Sequence, residues 1–404
     1  MKVMFVNRFF FPDESATSQL LSDLAFHLAQ RGLEVHVVTS RLDRVEPTRH
    51  YRSQERIGGV TVHRVWSSGI GRNSLVARAI DYLTFYLSAL AVLLRHLSRG
   101  DVVVAKTDPP LISVVAALAC KARGARLVNW LQDLFPEVAR AAGVRFVRGP
   151  VGRLMKAWRD WSLREASVNV AIGEQMGRYL APVDTATHSL AVIHNWADGD
   201  ALRPMAEGAS LLRREWGLEG RVVFMYSGNL GRVHDYQTLL DAATELRDDA
   251  TVVFLFVGQG HGLRRLRAEA SRRGLTNLAF RPPQPRDRLG ALLAVGDVHI
   301  VTLAPGMGPF VVPSKLYGVL AAGRPVVFVG GVDGEIPAML DEQGSGFAVR
   351  SGAVQALTPI IRRLAGDAQL RQRLGANARH AFEQRFSRPA AFEAWQRVIE
   401  IAAR

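Results

Sequence analysis

The chain of 404 residues contains a single cysteine, Cys120, so no disulfide can form within it. This cysteine lies in the apolar run 111–120, where a lone thiol behaves as a small buried hydrophobic side chain. A chain without disulfides does not depend on an oxidising compartment. We therefore expect a cytoplasmic protein.

Targeting signals are also lacking. Residues 1–6 lead directly into a strand-like run, without the basic segment, apolar core and small-residue cleavage site of a secretory signal. The longest apolar stretch, residues 79–94, contains Asp81 and lies between Arg78 and Arg95. It is shorter than the roughly 20 residues that a spanning helix needs. We expect neither a secretory signal nor a transmembrane helix.

Several chemical motifs are missing from the sequence. The 11 histidines show no metal-ligand spacing. There is no nucleophilic serine elbow and no Cys–His arrangement. The glycine-rich turns match neither a dinucleotide fingerprint nor a P-loop. We therefore expect no metal ion and no cofactor.

The charge balance is strongly basic, with 51 Lys and Arg against 37 Asp and Glu, a formal net charge of +14. Such an excess indicates a polyanionic neighbour, which can be nucleic acid, anionic lipid or a phosphorylated metabolite. Nucleic-acid binding typically needs clustered basic residues with aromatic residues between them. Here the basic residues are dispersed, so we expect no nucleic-acid partner.

Strand-like and helical runs alternate along the whole chain, which predicts an α/β fold. A first set of strands ends near residue 193, and a second set begins with the strand 221–227. The turn-rich stretch 194–203 separates them. We predict an N-terminal domain over residues 1–195, a C-terminal domain over 196–388 and a last helix over 389–404. Two open parallel sheets imply a cleft between domains, with ligands beyond the carboxyl ends of the strands.

Two glycine-containing turns directly follow strands of the second half. The first, residues 226–232, contains Gly228, Asn229 and Arg232, and the second, residues 257–260, contains Gly258. Glycine lets a backbone approach a ligand closely, and amides at a helix N-terminus favour phosphate. Arg232 would add a charged fork for a diphosphate. The alternative is that these turns only connect elements.

The most specific segment is residues 312–327, VPSKLYGVLAAGRPVV. Pro313 and Ser314 are favourable at a helix start, and a short helix of small residues then runs to Gly323. A lysine at a helix N-terminus opposes the helix dipole unless an anion is bound there. The segment therefore predicts an anion site at Lys315.

The first half carries carboxylates where strands end. The segment NWLQDLFPE, residues 129–137, contains Asp133 and Glu137, either of which could take or hold a proton. The alternative for Asp133 is capping of the next helix. Asp108 follows the preceding strand in a comparable loop. Asn195, at the domain junction, would face the cleft.

The segments PSKLYGVLAAGRPVV, SGNLG, VGQG and QDLFPE together resemble the retaining GT-B glycosyltransferases often called family four. Within that family the chain is similar to transferases of capsule and O-antigen synthesis, including N-acetyl-fucosamine and colanic-acid transferases. The resemblance implies two Rossmann-like domains, with the nucleotide held by the second and the last helix returning to the first. It also implies retention at the anomeric carbon without a metal.

The resemblance also implies roles for individual residues. Gly228 and Asn229 match the turn that meets the donor diphosphate. Pro313, Ser314 and Lys315 fall where the family meets the sugar and ribose, with Tyr317 in the same segment. Two glutamates that the family often carries eight residues apart are replaced here by Phe310 and Gly318.

The expected reaction uses a UDP-sugar donor and a lipid-linked sugar or polysaccharide-precursor acceptor at the cytoplasmic face of the inner membrane. Amides, Arg and Lys would stabilise the departing diphosphate. The apolar stretch 79–94, flanked by Arg72, Arg78, Arg95 and Arg99, would lie in the membrane interface; a core helix is the alternative. Other interpretations are a nucleotide-sugar epimerase of the same fold, a basic anion-binding or nucleic-acid-binding protein, and an inactive scaffold.

Overall fold

The computed structural model describes residues 1–43, 50–70, 74–183, 189–205, 207–231 and 233–404. The chain forms two compact units. Met1–His194 and Phe392–Arg404 make up the first unit, and Asn195–Ala391 make up the second.

The first unit is built around an eight-stranded sheet, in the order β3-β4-β2-β1-β5-β6-β7-β8. All neighbouring strands are parallel except β3, a polar strand that pairs antiparallel with β4 and that the sequence patterns did not predict. The strands are β1 Lys2–Val6, β2 Glu34–Ser40, β3 Gln54–Ile57, β4 Val60–Val65, β5 Val102–Lys106, β6 Arg126–Leu131, β7 Val168–Ala171 and β8 Ser189–Val192. The helices are α1 Ala16–Gln30, α2 Leu75–His96, α3 Ile112–Arg123, α4 Glu137–Ala141, α5 Pro150–Glu165 and α6 Glu174–Leu180.

Helix α2 contains 22 residues and extends beyond the apolar stretch at both ends. It is long and apolar enough to cross a membrane, contrary to the length expected from the sequence. One of its faces, however, packs into the core of the first unit through Phe85, Ala89 and Leu93, which are fully buried. Helix α3 contacts both α2 and α5, so these three helices form one layer on the sheet.

The second unit contains a six-stranded parallel sheet in the order β11-β10-β9-β12-β13-β14. Its strands are β9 Val222–Asn229, β10 Val252–Gln259, β11 Leu278–Arg281, β12 Val298–Thr302, β13 Val326–Gly330 and β14 Gly346–Arg350. The helices are α7 Glu207–Glu215, α8 Gln237–Glu245, α9 His261–Arg272, α10 Leu289–Val295, α11 Lys315–Ala321, α12 Glu335–Gln343, α13 Val354–Gly366 and α14 Ala368–Ala381. This is the strand order of a Rossmann sheet.

The C-terminal helix α15 (Arg388–Ala403) contributes its residues from Phe392 onward to the first unit. Trp395 is fully buried there, with its ring centroid 4.5 Å from that of Trp130 on β6. Phe392 stacks on His27 of α1 at the same centroid distance. The end of the chain is therefore part of the first unit's core.

The strand orders determine where ligands can bind. In each sheet the direction of strand addition reverses once, between β1 and β5 in the first unit and between β9 and β12 in the second. In such sheets ligands bind beyond the carboxyl ends of the strands at this reversal. The loops after β1, β5, β9 and β12 are therefore the first places to look for a site.

Candidate active site

Lys315 is the residue of the second unit at which the sequence predicts an anion site. It is the first residue of α11, and its Nζ lies 3.6 Å from the centroid of the Tyr226 ring on β9. This ammonium nitrogen is buried and has no hydrogen-bond partner among the described residues. Burial lowers the pKa of Lys315 to about 7. An ammonium group buried against an aromatic face, without an acceptor, would be stabilised by a bound anion.

The predicted glycine turns meet at this lysine. A Cβ atom on Gly228 would lie 3.7 Å from Lys315 Nζ, so the backbone of this glycine lies close to the lysine nitrogen. Gly258 is paired with Gly228 across β9 and β10, and its φ of 146° is in the region that favours glycine. The structure therefore brings Gly228, Gly258 and Lys315 together within one unit.

Asn229 and His234 form the next part of the turn. The end of β9 is so close to Gly260 that a Cβ atom on Gly260 would lie 2.5 Å from Asn229 Oδ1. His234 Nδ1 accepts a hydrogen bond of 3.2 Å from the amide of Gly231. Burial, and then the charge of Lys315, lower the pKa of His234 to about 3, so this imidazole is neutral. Arg232, the predicted diphosphate contact in this turn, lies outside the described residues.

The segment before α11 contributes Pro313, Ser314 and Tyr317. Pro313 is buried, and its carbonyl accepts a hydrogen bond from the amide of Leu316. Ser314 precedes the first helical residue, but its side chain makes no capping hydrogen bond. Tyr317 is fully buried; burial, and then the negative charge of Glu335, raise the pKa of its hydroxyl. Ser314 is half-buried next to Lys315, and the Tyr317 ring packs against that of Phe386 at a centroid distance of 5.3 Å. Contact of either residue with a substrate stays a prediction.

Two residues near this site were not selected from the sequence. Tyr226 supplies the ring beneath Lys315, and Glu335, the buried first residue of α12, lies close enough to Tyr317 to influence its hydroxyl. The signal for Tyr226 was its place at the start of the first glycine-containing turn, two residues before Gly228. For Glu335 the signal was the glycine-rich stretch GGVDG that follows β13.

Asn195 was expected to face a cleft. It is the first residue of the second unit and is 1% exposed, with its backbone near the Tyr317 hydroxyl. The buried position indicates that it supports the segment around Tyr317 rather than presenting its amide to solvent. Asn195 therefore has a structural role in this segment, and its contact with a substrate stays a prediction.

In the first unit, Asp133 follows β6 and is exposed, and it is not the N-cap of α4. Its backbone amide, like that of Gln132, lies 3.3 Å from Thr107 Oγ1, the acceptor in the neighbouring loop after β5. Although the side chain reaches solvent, the surrounding protein reduces its hydration. That effect, followed by the like charge of Asp108, raises the pKa of Asp133 to about 6. The carboxylate can therefore exchange a proton near neutral pH.

Glu137, the second predicted carboxylate, has a different place. It is 1% exposed, forms a 2.7 Å salt bridge with Arg159 of α5, and accepts a 3.0 Å hydrogen bond from the Tyr179 hydroxyl. Removing one partner of a buried ion pair leaves an uncompensated charge, so this pair is part of the fold. Glu137 therefore has a structural role, and its contact with a substrate stays a prediction.

Lys106 was not selected from the sequence, although it ends an otherwise apolar strand. It is 1% exposed, its Nζ donates a 2.8 Å hydrogen bond to the carbonyl of Thr17, and it lies 3.6 Å from the centroid of a Trp130 ring. Burial lowers its pKa well below the usual value. Lys106 thus joins β5, β6 and the start of α1 beneath the loop that carries Asp108.

Within the described residues, no group of three or more His, Cys, Asp or Glu side chains is arranged to hold a metal ion. The second unit presents the buried Nζ of Lys315, which has no hydrogen-bond partner among the described residues. The first unit offers a titratable carboxylate at Asp133.

Comparison with known proteins identifies the class. Residues 17–196 match the glycosyl transferase 4-like domain, and residues 210–381 match the glycosyl transferases group 1. The expected α/β architecture of two Rossmann-like halves is thereby confirmed as that of a GT-B glycosyltransferase. The chain belongs to the GT-B glycosyltransferases of family four.

Two relatives are similar over most of their length. WcaI of Escherichia coli (strain K12), named as a glycosyl transferase of colanic acid biosynthesis, is 26% identical over 90% of this chain and 91% of its own. WbjE of Pseudomonas aeruginosa, named as a glycosyltransferase, is 29% identical over 72% of each chain.

Solved structures share the fold at lower identity. Sucrose-phosphate synthase from Thermosynechococcus elongatus has a TM-score of 0.80 at 15% identity, with 99% of this chain and 98% of that chain covered. Anabaena HepE in complex with UDP-glucose has a TM-score of 0.74 at 18% identity, with 99% of both chains covered.

Proposed function

We propose that this glycosyltransferase moves a sugar, such as an N-acetylated deoxyhexosamine, from a UDP-sugar to a lipid-linked or polysaccharide-precursor acceptor, with retention at the anomeric carbon. The observation that carries the proposal is the buried, unpartnered Nζ of Lys315 beside Gly228. The UDP-glucose complex of HepE and the names of WcaI and the lipopolysaccharide transferase WaaG support the donor and the pathway class.

The leaving group explains the chemistry of Lys315. When the bond between the anomeric carbon and the diphosphate oxygen breaks, its electron pair stays with the diphosphate. A preorganised cation in a poorly hydrated place stabilises that developing charge more than water does. The backbone near Gly228 and the hydroxyl of Ser314 would add donors around the same anion. His234, which is neutral, can bind without adding a second positive charge.

The attack by the acceptor needs fewer protein groups than the departure of the diphosphate. The acceptor oxygen forms its bond to the anomeric carbon on the face that the diphosphate leaves, and its proton passes to the departing diphosphate. In this proposal the first unit positions the acceptor. Asp133 would accept a hydrogen bond from the acceptor hydroxyl, and its raised pKa would make this contact sensitive to pH near 6.

The direct test is product analysis by mass spectrometry. The protein is incubated with a set of UDP-sugars and a lipid-linked sugar acceptor, and the anomeric configuration of any product is then determined by NMR. A product extended by one sugar with the donor's configuration would support the proposal. An inverted product would contradict retention, and a changed UDP-sugar without transfer would favour an epimerase.

Activity is expected to persist without divalent cations. The groups proposed to stabilise the diphosphate are a lysine and backbone amides, which need no bridging metal ion. The measurement is the initial transfer rate in EDTA compared with the rate in Mg²⁺ or Mn²⁺. Loss of activity in EDTA that either metal restores would contradict a metal-free mechanism.

The membrane contact is proposed at the outer surface of α2. Its exposed apolar residues follow helical spacing and form a stripe: Val76, Ile80, Leu83, Leu87 and Leu94. The opposite face packs into the core, so this stripe is additional to the residues that the fold needs. Arg78, Arg95 and Arg99 are exposed around the helix, while Arg72 lies outside the described residues. An apolar stripe with basic flanks suits an anionic lipid surface.

A second exposed surface extends the argument to α5. Phe146, Val151, Leu154 and Trp158 are each about half exposed, on α5 and the short turn before it. Exposed arginines at 145, 148 and 153 lie among them. Aromatic and aliphatic side chains interleaved with arginines are typical of interfacial binding. Because α3 packs between α2 and α5, both surfaces belong to the same helical layer of the first unit.

Co-sedimentation with anionic vesicles tests this contact. We expect the wild-type protein to pellet with the vesicles and to lose part of that binding at high salt. Leu83→Glu/Leu87→Glu is expected to reduce binding at least tenfold, because two charges then replace apolar contact area. Arg78→Glu/Arg95→Glu should weaken binding in a manner that depends on salt.

The matched control is Leu211→Glu, which changes an exposed leucine of α7 in the second unit. It should bind vesicles as the wild type does. Wild-type protein that stays in the supernatant at low salt, or equal binding by the α2 and α7 variants, would remove this surface from the proposal. A dimer that dissociates in Leu83→Glu/Leu87→Glu would indicate a second copy as the occupant.

A further inference from the structure

An open cavity of about 580 Å³ lies at the other edge of the second unit's sheet. Asp297 and Pro325, which line it, immediately precede β12 and β13. The cavity is therefore at the amino ends of these strands, whereas Gly228 and Gly258 are near the carboxyl ends of theirs. Its volume is within the range of about 300–1,000 Å³ common for small-molecule sites. Among the described residues, none of those proposed for the donor site lines it.

One wall of the cavity is the face of α14 that carries small residues. A Cβ on Gly375 would lie 2.4 Å from the carbonyl oxygen of Gly323, so the absence of a side chain lets the helix approach this loop. Ala368 and Ala376 also line the cavity and are exposed. Small side chains along one helical face keep the space open.

The cavity carries more positive than negative charge. Both acidic side chains in its wall are already paired: Asp297 with Arg213 at 2.8 Å, and Glu383 with Arg379 at 2.7 Å. Arg324 and Arg371 also line it, and neither forms a salt bridge with a carboxylate in the part of the chain that the structure describes. The charge of Asp297 also acts on Arg324, although the two form no salt bridge, so the described lining residues carry three arginines against two carboxylates.

Backbone carbonyls hold these two arginines from one side. Arg324 Nη2 donates to the carbonyls of Met205 and Ala294, both at 3.1 Å, while its Nε is buried without a hydrogen-bond partner in the described residues. Arg371 Nη1 donates to two carbonyls at the end of α13, at 2.6 and 3.0 Å. Carbonyl dipoles fix the orientation of a guanidinium but leave its charge and its other N–H donors for an anion.

We propose that this cavity binds a phosphorylated small molecule, with the phosphate held by Arg324 and Arg371 and the remainder against the small-residue face of α14. The side-chain amide of Gln372, exposed in the same wall, supplies a further donor. Arginine suits this ligand because its planar fork matches two phosphate oxygens. The site is separate from the proposed donor site and does not rest on it.

The cavity and the donor site share helix α11. Lys315 begins this helix, and the carbonyl of Ala321, its last residue, accepts a 2.7 Å hydrogen bond from Arg379 in the cavity wall. Arg324 follows only three residues later. Seven helical residues span about 10 Å. A ligand that shifts Arg324 or Arg379 acts on the end of the helix that positions Lys315, so its binding is expected to change the affinity for UDP.

The test compares two glutamine variants of α14. Gln372→Glu places a negative charge in the cavity, whereas Gln369→Glu makes the same change at an exposed position of the same helix that does not line it. Glucose 6-phosphate and inorganic phosphate are titrated by calorimetry into the full chain carrying Lys315→Ala, which disables the donor anion site. We expect Gln372→Glu to weaken glucose 6-phosphate binding at least tenfold relative to Gln369→Glu, with equal melting temperatures.

The remaining outcomes are also decisive. No binding of glucose 6-phosphate to Lys315→Ala, or equal binding by the two glutamine variants, would overturn the site. Equal affinity for inorganic phosphate and glucose 6-phosphate would mean that the site binds phosphate alone. It would contradict the proposal that the rest of the ligand contacts the small-residue face of α14. In the chain with Lys315 intact, glucose 6-phosphate should change the dissociation constant of UDP at least threefold; no change would contradict the link through α11.

Discussion

Replacing Lys315 by alanine is expected to lower kcat/KM for the UDP-sugar by a factor of about 10² to 10³. That is the usual effect of removing one preorganised donor from a developing anion. The fold should remain intact, because the Nζ makes no hydrogen bond with described residues. The melting temperature is expected to stay the same or rise, since a poorly compensated buried ammonium is removed. Steady-state kinetics and calorimetric melting measure the two effects.

Lys121→Ala is the matched control, because Lys121 is exposed and its salt bridge with Glu165 at 3.4 Å is on the surface. Such pairs contribute little to stability, so neither rate nor melting temperature should change. Lys315→Met keeps most of the side-chain volume and should be as inactive as the alanine variant. Activity of Lys315→Met close to the wild type would mean that packing, not charge, is what this position provides.

The lowered pKa of Lys315 gives the same site a pH signature. In the free protein its pKa is about 7, so the ammonium becomes neutral as the pH rises above that value. A diphosphate binds the charged form better, and binding must then be accompanied by proton uptake. UDP affinity should therefore fall with rising pH above 7, by at most about tenfold per pH unit. Lys315→Ala should not show this decline.

The sequence was sufficient for the fold because the signals were local. Each parallel strand is a short apolar run, and each glycine turn follows its strand directly, so the α/β architecture and the edge that carries Gly228 could be predicted. The position of Lys315 was also informative, because a lysine at a helix start conflicts with the helix dipole. Such local conflicts often mark functional positions.

The roles of Asp133 and Glu137 could not be separated in this way. They lie four residues apart in one segment between β6 and α4, Asp133 before the helix and Glu137 at its first residue, and their sequence context is alike. What distinguishes them is Arg159, 22 residues further along the chain, which forms a buried salt bridge with Glu137 and leaves Asp133 exposed. Lys106 could not be recognised from the sequence either, because Thr17 and Trp130, which it contacts, lie in distant segments of the chain.

Helix α2 shows a second limit of sequence patterns. Apolar residues occur on almost every side of this helix, so the sequence does not indicate a single hydrophobic face. Membrane contact and core packing therefore remained alternative predictions. The structure shows both surfaces at once: Phe85, Ala89 and Leu93 are buried, while Leu83 and Leu87 are more than half exposed. Only the position of the sheet decides which side of such a helix remains free.

Replacing Gly258 by alanine is expected to cost about 3 kcal/mol or more of the second unit's stability and to lower UDP affinity more than tenfold. The φ of 146° is strained for any residue with a Cβ. The added Cβ would also lie 2.1 Å from the carbonyl oxygen of Gly228, so β9 and β10 must separate where the backbone meets Lys315.

Gly346→Ala is the matched control: its Cβ would lie 1.9 Å from the carbonyl oxygen of Val326, at the amino ends of β13 and β14. Both variants should melt earlier, but at a temperature where each is folded only Gly258→Ala should lose UDP binding, and equal UDP affinity in the two would contradict a donor site at this turn.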